Sequence, residues 1–251
     1  MNNTLNESEI QTKLSFGKIM TSDVVFYDGS FEAECIKYCQ KRNITYLPSL
    51  DNFDSCYRFV DSKFQEERID ESQKVSVDND IFGNSVVEKF EAHQVLFVFE
   101  KNELVGVVHF CDYNRNPVSI YIYSLLLAFE KGLRELLIQN GLGNEDMIKF
   151  RHSKIKEEMK ELEPFQTFYL KDLIKLANSK KILNISESVN NDIRNVVMHA
   201  KNPVRHEDYE AADFIYNIES FKKFFESFKL FQPELRRVIN KNRIKKELFS
   251  H

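Results

Sequence analysis

The fold of this chain is best judged from residues 185–204, which read ISESVNNDIRNVVMHAKNPV. The pattern favours a helix whose apolar residues include Ile193, Val196, Val197 and Met198. The same helix carries a fixed cation, an amide and a titratable imidazole, Arg194, Asn195 and His199. Histidine exchanges protons near neutral pH, and arginine binds phosphate oxygens through a planar, permanently charged group. Metal-free cleavage of RNA requires such groups, although a single histidine on an apolar helix is more often a core residue.

That segment resembles the signature helix of the HEPN superfamily, whose ribonucleases carry R-N-x-x-x-H or close variants. Residues 121–137 look like the long first helix of the family, and residues 170–177 match its short apolar helix. The resemblance covers roughly residues 117–230. Two polar residues of the first helix, Glu130 and Arg134, would support the catalytic cleft or form an ordinary i,i+4 ion pair.

The resemblance implies an all-α domain, residues 117–251, that cuts RNA without a metal and without a catalytic cofactor. His199 would act as general base or acid, Arg194 would stabilise charge on the phosphate, and Asn195 would orient the reacting groups. Arg194 and His199 are separated by about 140° on a straight helix, so one helix does not present them side by side. In this family two protomers bring the helix together, which implies a homodimer.

A second resemblance lies in residues 1–116. Residues 19–25 (IMTSDVV) and 43–48 (NITYLP) are similar to the first unit of a CBS-domain pair, and residues 96–112 look like the end of the second unit. The resemblance implies an α/β domain with an adenine nucleotide (ATP, ADP or AMP) as a regulatory ligand. The nucleotide-binding residues would be Tyr46, Gly106 and Asp112. A module that only supports dimerisation is an open alternative, because His109 replaces the expected Ser or Thr.

Charge and composition support a two-part, cytoplasmic protein with no membrane partner. Residues 1–116 hold 12 Lys/Arg and 20 Asp/Glu, whereas residues 117–251 hold 23 and 19, so the second half is basic and could bind phosphates. The longest apolar run, residues 118–129, is shorter than the roughly 20 residues that span a bilayer. The polar N-terminus lacks the apolar region of a secretory signal. The four cysteines lack zinc-ligand spacing and are expected to be buried free thiols.

Periodicity and proline positions predict the remaining elements of an α+β fold. Helices are expected at 117–140, 145–162, 168–180, 187–201, 207–230 and 233–248, separated in part by Pro164, Pro203 and Pro233. In the first half we expect strands at 23–28 and 45–48, a helix at 30–42 with Phe31, Cys35, Ile36 and Cys39 inward, and a hairpin of 96–99 and 104–110. Residues 60–85 are expected to be irregular, either a loop or a degenerate helix.

These interpretations combine into one prediction, a toxin or antiviral defence effector that cleaves RNA and is regulated by nucleotide binding. The alternative is a non-catalytic, nucleotide-sensing dimer that binds RNA or a protein partner. The presence of Arg194, Asn195 and His199 favours the enzyme, because a protein that only binds does not need this set of residues.

Overall fold

The computed structural model describes residues 13–151, 163–186, 189–194 and 215–249. The chain divides into two compact units, the first ending at Val118 and the second beginning at Ser119, two residues beyond the expected boundary. The first unit mixes strands and helices, and the described residues of the second contain helices and turns without a strand. The α+β class is therefore confirmed.

The first unit contains two three-stranded sheets. One sheet is antiparallel in the order β1-β2-β3, formed by Tyr46–Pro48, Ser55–Val60 and Lys63–Arg68. The other has the order β4-β5-β6, formed by Lys74–Ser76, Val95–Glu100 and Glu103–His109. β4 runs parallel to β5, and β5 runs antiparallel to β6.

Two helices and several short 3-10 turns complete this unit. Helix α1 spans Glu32–Arg42 and ends at Asn43, whose left-handed φ of 52° suits an asparagine cap. Helix α2 spans Val86–Ala92 and joins β4 to β5, because parallel neighbours need a crossover connection. The 3-10 turns are Phe16–Lys18, Gly29–Phe31, Glu71–Gln73 and Phe110–Asn114.

The second unit is built around two long helices. The remaining helices are α3 (Asn116–Gln139), α4 (Asn144–Arg151), α5 (Leu170–Ser179) and α6 (Ile218–Phe249), with a π-helical turn at Val189–Arg194. α3 begins three residues before the unit boundary. The buried residues of α6 recur at three- and four-residue steps and include Phe221, Phe224, Phe225, Phe228 and Phe231. Their contacts with α3, such as the edge-on packing of Phe231 against Phe129, form the core of this unit.

Several predictions about elements are wrong. Pro233 does not separate two helices, since α6 continues through it. Residues 23–28 form no strand, because their only pairing is the bridge between Tyr27 and Ser49. Phe31 is 58% exposed and does not face inward. Residues 60–85 are not irregular, since they hold β3 and β4.

Other predicted elements agree within a few residues or fall partly outside the described chain. Cys35 and Cys39 face the core from α1, and the hairpin of β5 and β6 closes at Lys101, whose φ is 57°. Three predicted helices, 145–162, 187–201 and 207–230, lie partly outside the described residues. Pro203 lies outside them as well. Among the described residues, no helix is long and apolar enough to cross a membrane.

Candidate active site

Within the predicted catalytic helix, residues 187–201, the structure describes Val189–Arg194, which form a π-helical turn. Val189 and Ile193 are fully buried, the turn packs against α6, and Arg194 at its end is half-buried. π-turns are rare and are frequently found at functional sites. Asn195 and His199 lie outside the described residues. Of the three predicted catalytic residues, the structure therefore places Arg194.

The two predicted supporting residues, Glu130 and Arg134, form an ion pair on one face of α3. Arg134 also donates from Nη2 to the carbonyl oxygen of Phe168, 3.3 Å away, just before α5 begins. Its Nε is buried and has no hydrogen-bond partner among the described residues. The pair is thus more than a surface i,i+4 contact, because it also fixes the chain that leads into α5.

A groove of about 640 Å³ runs beside this ion pair. Its lining includes Leu127, Ile138, Glu163 and Pro164 in addition to Glu130 and Arg134. Leu127 and Ile138 are 49% and 44% exposed, so the groove has an apolar wall beside its charged one. The surface is therefore suited to a partner with both apolar and charged groups.

The predicted nucleotide residue Asp112 already has partners within the protein. Its carboxylate accepts the backbone N–H of His109 at 2.7 Å and forms an ion pair with Arg115 at 2.8 Å. Burial raises the pKa of the Asp112 carboxyl, while the His109 N–H and Arg115 oppose that rise. The same turn is capped in return by His109, whose Nδ1 accepts the N–H of Cys111 at 3.2 Å. A ribose would have to displace these contacts.

Arg115 extends this network toward the start of the unit. Its guanidinium donates to the carbonyl oxygens of Ile19 and Met20 at 2.7 and 2.8 Å, and to Thr21 Oγ1 at 2.6 Å. Burial lowers the pKa of the His109 imidazole, and the nearby Asp112 opposes the shift. No local pattern predicts that Arg115 connects these two segments, because they are more than 90 residues apart.

The other two predicted nucleotide residues serve packing roles. A Cβ at Gly106 would lie 2.6 Å from Met20 Sδ and 3.0 Å from Thr21 O, so glycine permits the close approach of that segment to β6. Tyr46 packs against the core cluster that contains Phe97 and Leu104. Tyr46 lies in β1, Gly106 in β6 of the other sheet and Asp112 in the 3-10 turn after β6, and nucleotide binding by them stays a prediction.

The basic residues near the end of the chain bind carbonyl groups of the second unit. Lys245 Nζ lies 3.4 Å from the carbonyl oxygen of Gln139 at the end of α3, and Lys241 Nζ donates to Ile182 O at 2.7 Å. Arg237 Nη1 reaches Asn184 O at 3.4 Å. Cations near helix C-termini are favoured by the helix dipole, which gives this basic segment a structural reason for its charge. Sequence reasoning missed the turn at residues 181–184 that these side chains contact.

All four cysteines are free, and Cys35, Cys39 and Cys56 are buried as expected, whereas Cys111 is only half-buried. Burial raises the pKa of the Cys39 and Cys56 thiols to about 11, so neither is a reactive thiolate at neutral pH. Within residues 13–151, 163–186, 189–194 and 215–249, no group of His, Cys, Asp or Glu side chains is arranged to hold a metal ion.

Comparison with known proteins gives no match: no family model, no curated protein and no solved structure resembles the chain closely enough to be matched.

Proposed function

We propose that this chain is a metal-independent endoribonuclease of the HEPN type, with Arg194, Asn195 and His199 as its catalytic residues. The observation that carries the proposal is the R-N-x-x-x-H pattern, whose arginine, Arg194, is half-buried in a rare π-turn. A cation held against protein has fewer conformations to lose when it binds a phosphate, and its field is screened less by water. The Glu130–Arg134 pair on α3 is the second support.

In the proposed reaction the ribose 2′-oxygen attacks the adjacent phosphorus. One His199 removes the 2′-hydroxyl proton, and the 5′-oxygen leaves with a proton from a second His199 or from water. The products carry a 2′,3′-cyclic phosphate and a 5′-hydroxyl. Arg194 stabilises the charge that develops on the phosphate oxygens, and Asn195 orients the phosphate or the imidazole. We place this activity in a toxin or antiviral defence effector.

A homodimer belongs to the proposal, because one helix does not present Arg194 and His199 side by side. Helix α3 offers apolar side chains for such a contact. Ile120, Tyr123 and Leu127 are 67%, 41% and 49% exposed and follow one another at three- and four-residue steps. An exposed apolar stripe of this kind is typical of a surface that binds another protein. Sedimentation of Leu127→Glu tests this part, since a dimer formed through the stripe should dissociate.

Regulation by an adenine nucleotide is a further part of the proposal. Binding at Asp112 would require its carboxylate to exchange the His109 N–H or Arg115 for ribose hydroxyls. Calorimetry with ATP and AMP should then show loss of binding in Asp112→Ala. Unchanged affinity would exclude this residue as a nucleotide ligand.

The nuclease itself is tested by incubating the protein with total RNA in the presence of EDTA. His199→Ala should lower the cleavage rate by about 10²–10⁴-fold, the usual contribution of general acid–base catalysis. His93→Ala, in the first unit and purified in the same way, is the matched control and should cut at the parent rate. The product ends are checked by whether the new 5′ termini accept phosphate from a kinase directly. If His199→Ala cuts as fast as the parent, the proposal is wrong; RNA that binds but stays uncut favours the non-catalytic alternative.

A further inference from the structure

A basic groove lies in the second unit, between the turn that follows α5 and one face of α6. Its volume is about 580 Å³, and it is lined by Asn178, residues 181–184, Arg237 and Lys241. Three of these seven residues are cations and none is acidic. Glu234 forms an ion pair with Arg237 at 3.0 Å and so offsets one of these charges. Lys181 and Lys241 therefore give the groove a positive excess.

The cations are held by a braced turn. The Asn178 side chain fixes the turn through two hydrogen bonds to the backbone of Ile185. It donates to Ile185 O at 2.9 Å and accepts the Ile185 N–H at 2.8 Å. Lys241 donates to Ile182 O from the side of α6. A bond to a neutral carbonyl leaves the full charge of Lys241 in place, and two of its three N–H donors stay available for a ligand.

Lys181 occupies a backbone position that does not suit lysine. Its φ is 55°, in the left-handed region where glycine or asparagine is favoured after a helix. Its N–H bonds to Asn178 O at 3.0 Å, and the next N–H, of Ile182, bonds to Ala177 O at 3.0 Å, as helix-ending turns require. A glycine would make the same turn at lower free energy. The lysine is therefore better explained by its charge than by the geometry of the turn.

We propose that this groove binds the phosphodiester backbone of single-stranded RNA, with Lys181, Arg237 and Lys241 each contacting a phosphate. The inference rests on the proposed nuclease function and names a surface that would hold the RNA substrate. The π-turn that ends at Arg194 packs on the same helix, α6, that supplies Arg237 and Lys241. An acidic protein segment is the competing ligand, and it is less favoured because the proposed nuclease function already requires the chain to bind RNA phosphates.

The test measures RNA binding without cleavage. Full-length His199→Ala is titrated into a short fluorescent single-stranded RNA in EDTA, and anisotropy is followed at several salt concentrations. The double variant Lys181→Gln/Lys241→Gln, made in the same background, keeps a side-chain donor for Ile182 O but removes two charges. We expect binding roughly tenfold weaker at low salt. The slope of log affinity against log salt should fall by about 1.4, because each lost phosphate contact on a single strand contributes about 0.7.

Lys223→Gln is the matched control. Lys223 is exposed on α6 and lies five helical turns, or about 27 Å, from Lys241, so its loss should leave affinity and slope nearly unchanged. Lys181→Gly distinguishes a loss of charge from a loss of folding. It should raise the melting temperature while it weakens RNA binding.

The results can fail in distinguishable ways. Parent-like affinity and slope in the double variant would overturn the groove proposal, as would displacement of RNA by polyglutamate at the concentration at which unlabelled RNA displaces it. A wild-type protein that never cuts RNA, but loses RNA binding on the double substitution, would refute the nuclease and support the groove.

Discussion

Asn242 on α6 donates from Nδ2 to the carbonyl oxygen of Gly132 on α3 at 2.6 Å. The two helices approach closely here, because a Cβ at Gly132 would lie 2.9 Å from Val238 Cγ1 and 3.3 Å from the same Nδ2. The other amide atom, Asn242 Oδ1, is buried without a partner among the described residues. Glycine at this point thus permits both the helix contact and the hydrogen bond to its own carbonyl.

Gly132→Val should therefore destabilise the second unit. Overpacking a helix contact costs about 1–3 kcal/mol, and the valine would also separate Asn242 from its acceptor. Urea denaturation followed by circular dichroism should show a lower midpoint. Gly143→Ala is the control, since no atom lies within 4 Å of its added Cβ and its backbone needs no positive φ. The free energy of unfolding of this control should change by no more than about 0.5 kcal/mol.

Pro233 gives a second test, which separates the predicted break from the observed continuous helix. In the interior of α6 a proline removes one backbone hydrogen bond and costs about 3 kcal/mol. Pro233→Ala should then stabilise the protein, by about 1 kcal/mol or more, in the same denaturation experiment. A proline at the first turn of a separate helix would instead be favourable, and its replacement would leave stability unchanged or lower it.

The continuous helix also shows why local sequence rules fail here. Phe228, Phe231 and Leu235 are buried on both sides of Pro233, and each buried side chain of this size contributes about 1.5–3 kcal/mol. Their combined burial outweighs the cost of the proline, which no rule about proline alone can capture. The prediction for residues 60–85 failed because a local signal is missing there. β3 is polar and lies at the edge of its sheet, so it lacks the apolar alternation that identifies a strand.

The elements that were predicted correctly have strong local signals. The β5–β6 hairpin has apolar runs on either side of a charged turn, and α3 has a broad apolar face after Pro117. Of the candidate site, sequence could pair Glu130 with Arg134 because they are four residues apart on a helix. Sequence could not predict that Arg134 donates to the Phe168 carbonyl or that the Asn178 side chain bonds to Ile185, because both contacts depend on which chain segments the fold brings together.

The Glu130–Arg134 pair should be stronger than a surface ion pair. Both side chains are largely buried, with Glu130 25% and Arg134 29% exposed, and Arg134 also donates a hydrogen bond to Phe168 O. A double-mutant cycle with Glu130→Gln and Arg134→Met should give a coupling of about 1 kcal/mol, above the 0.3–0.5 kcal/mol of exposed pairs on helices. Arg134→Met should cost more than Glu130→Gln, because it leaves the Phe168 carbonyl without its donor. A coupling energy of zero would show that the interaction between the two side chains does not stabilise the folded protein.

His109 makes the stability of the first unit depend on pH. Burial lowers the pKa of its imidazole below the ordinary value of 6.5, so the unfolded chain takes up a proton before the folded one does. Stability should therefore fall as the pH drops below about 6.5, and it should stop falling once the folded state is protonated as well. Protonation also removes the Nδ1 acceptor of the Cys111 N–H, which caps the turn Phe110–Asn114.

The measurement compares melting temperatures of the parent and His109→Asn between about pH 8 and pH 5, since asparagine can cap the turn without titrating. The difference between the two proteins should shift in favour of His109→Asn as the pH falls. Asp112 acts in the opposite direction, because burial raises its pKa and its ionisation at higher pH lowers stability. Repeating the comparison with Asp112→Asn in both proteins removes that contribution. A difference that stays constant with pH, or that favours the histidine in acid, would show that the folded state does not hold His109 in its neutral form.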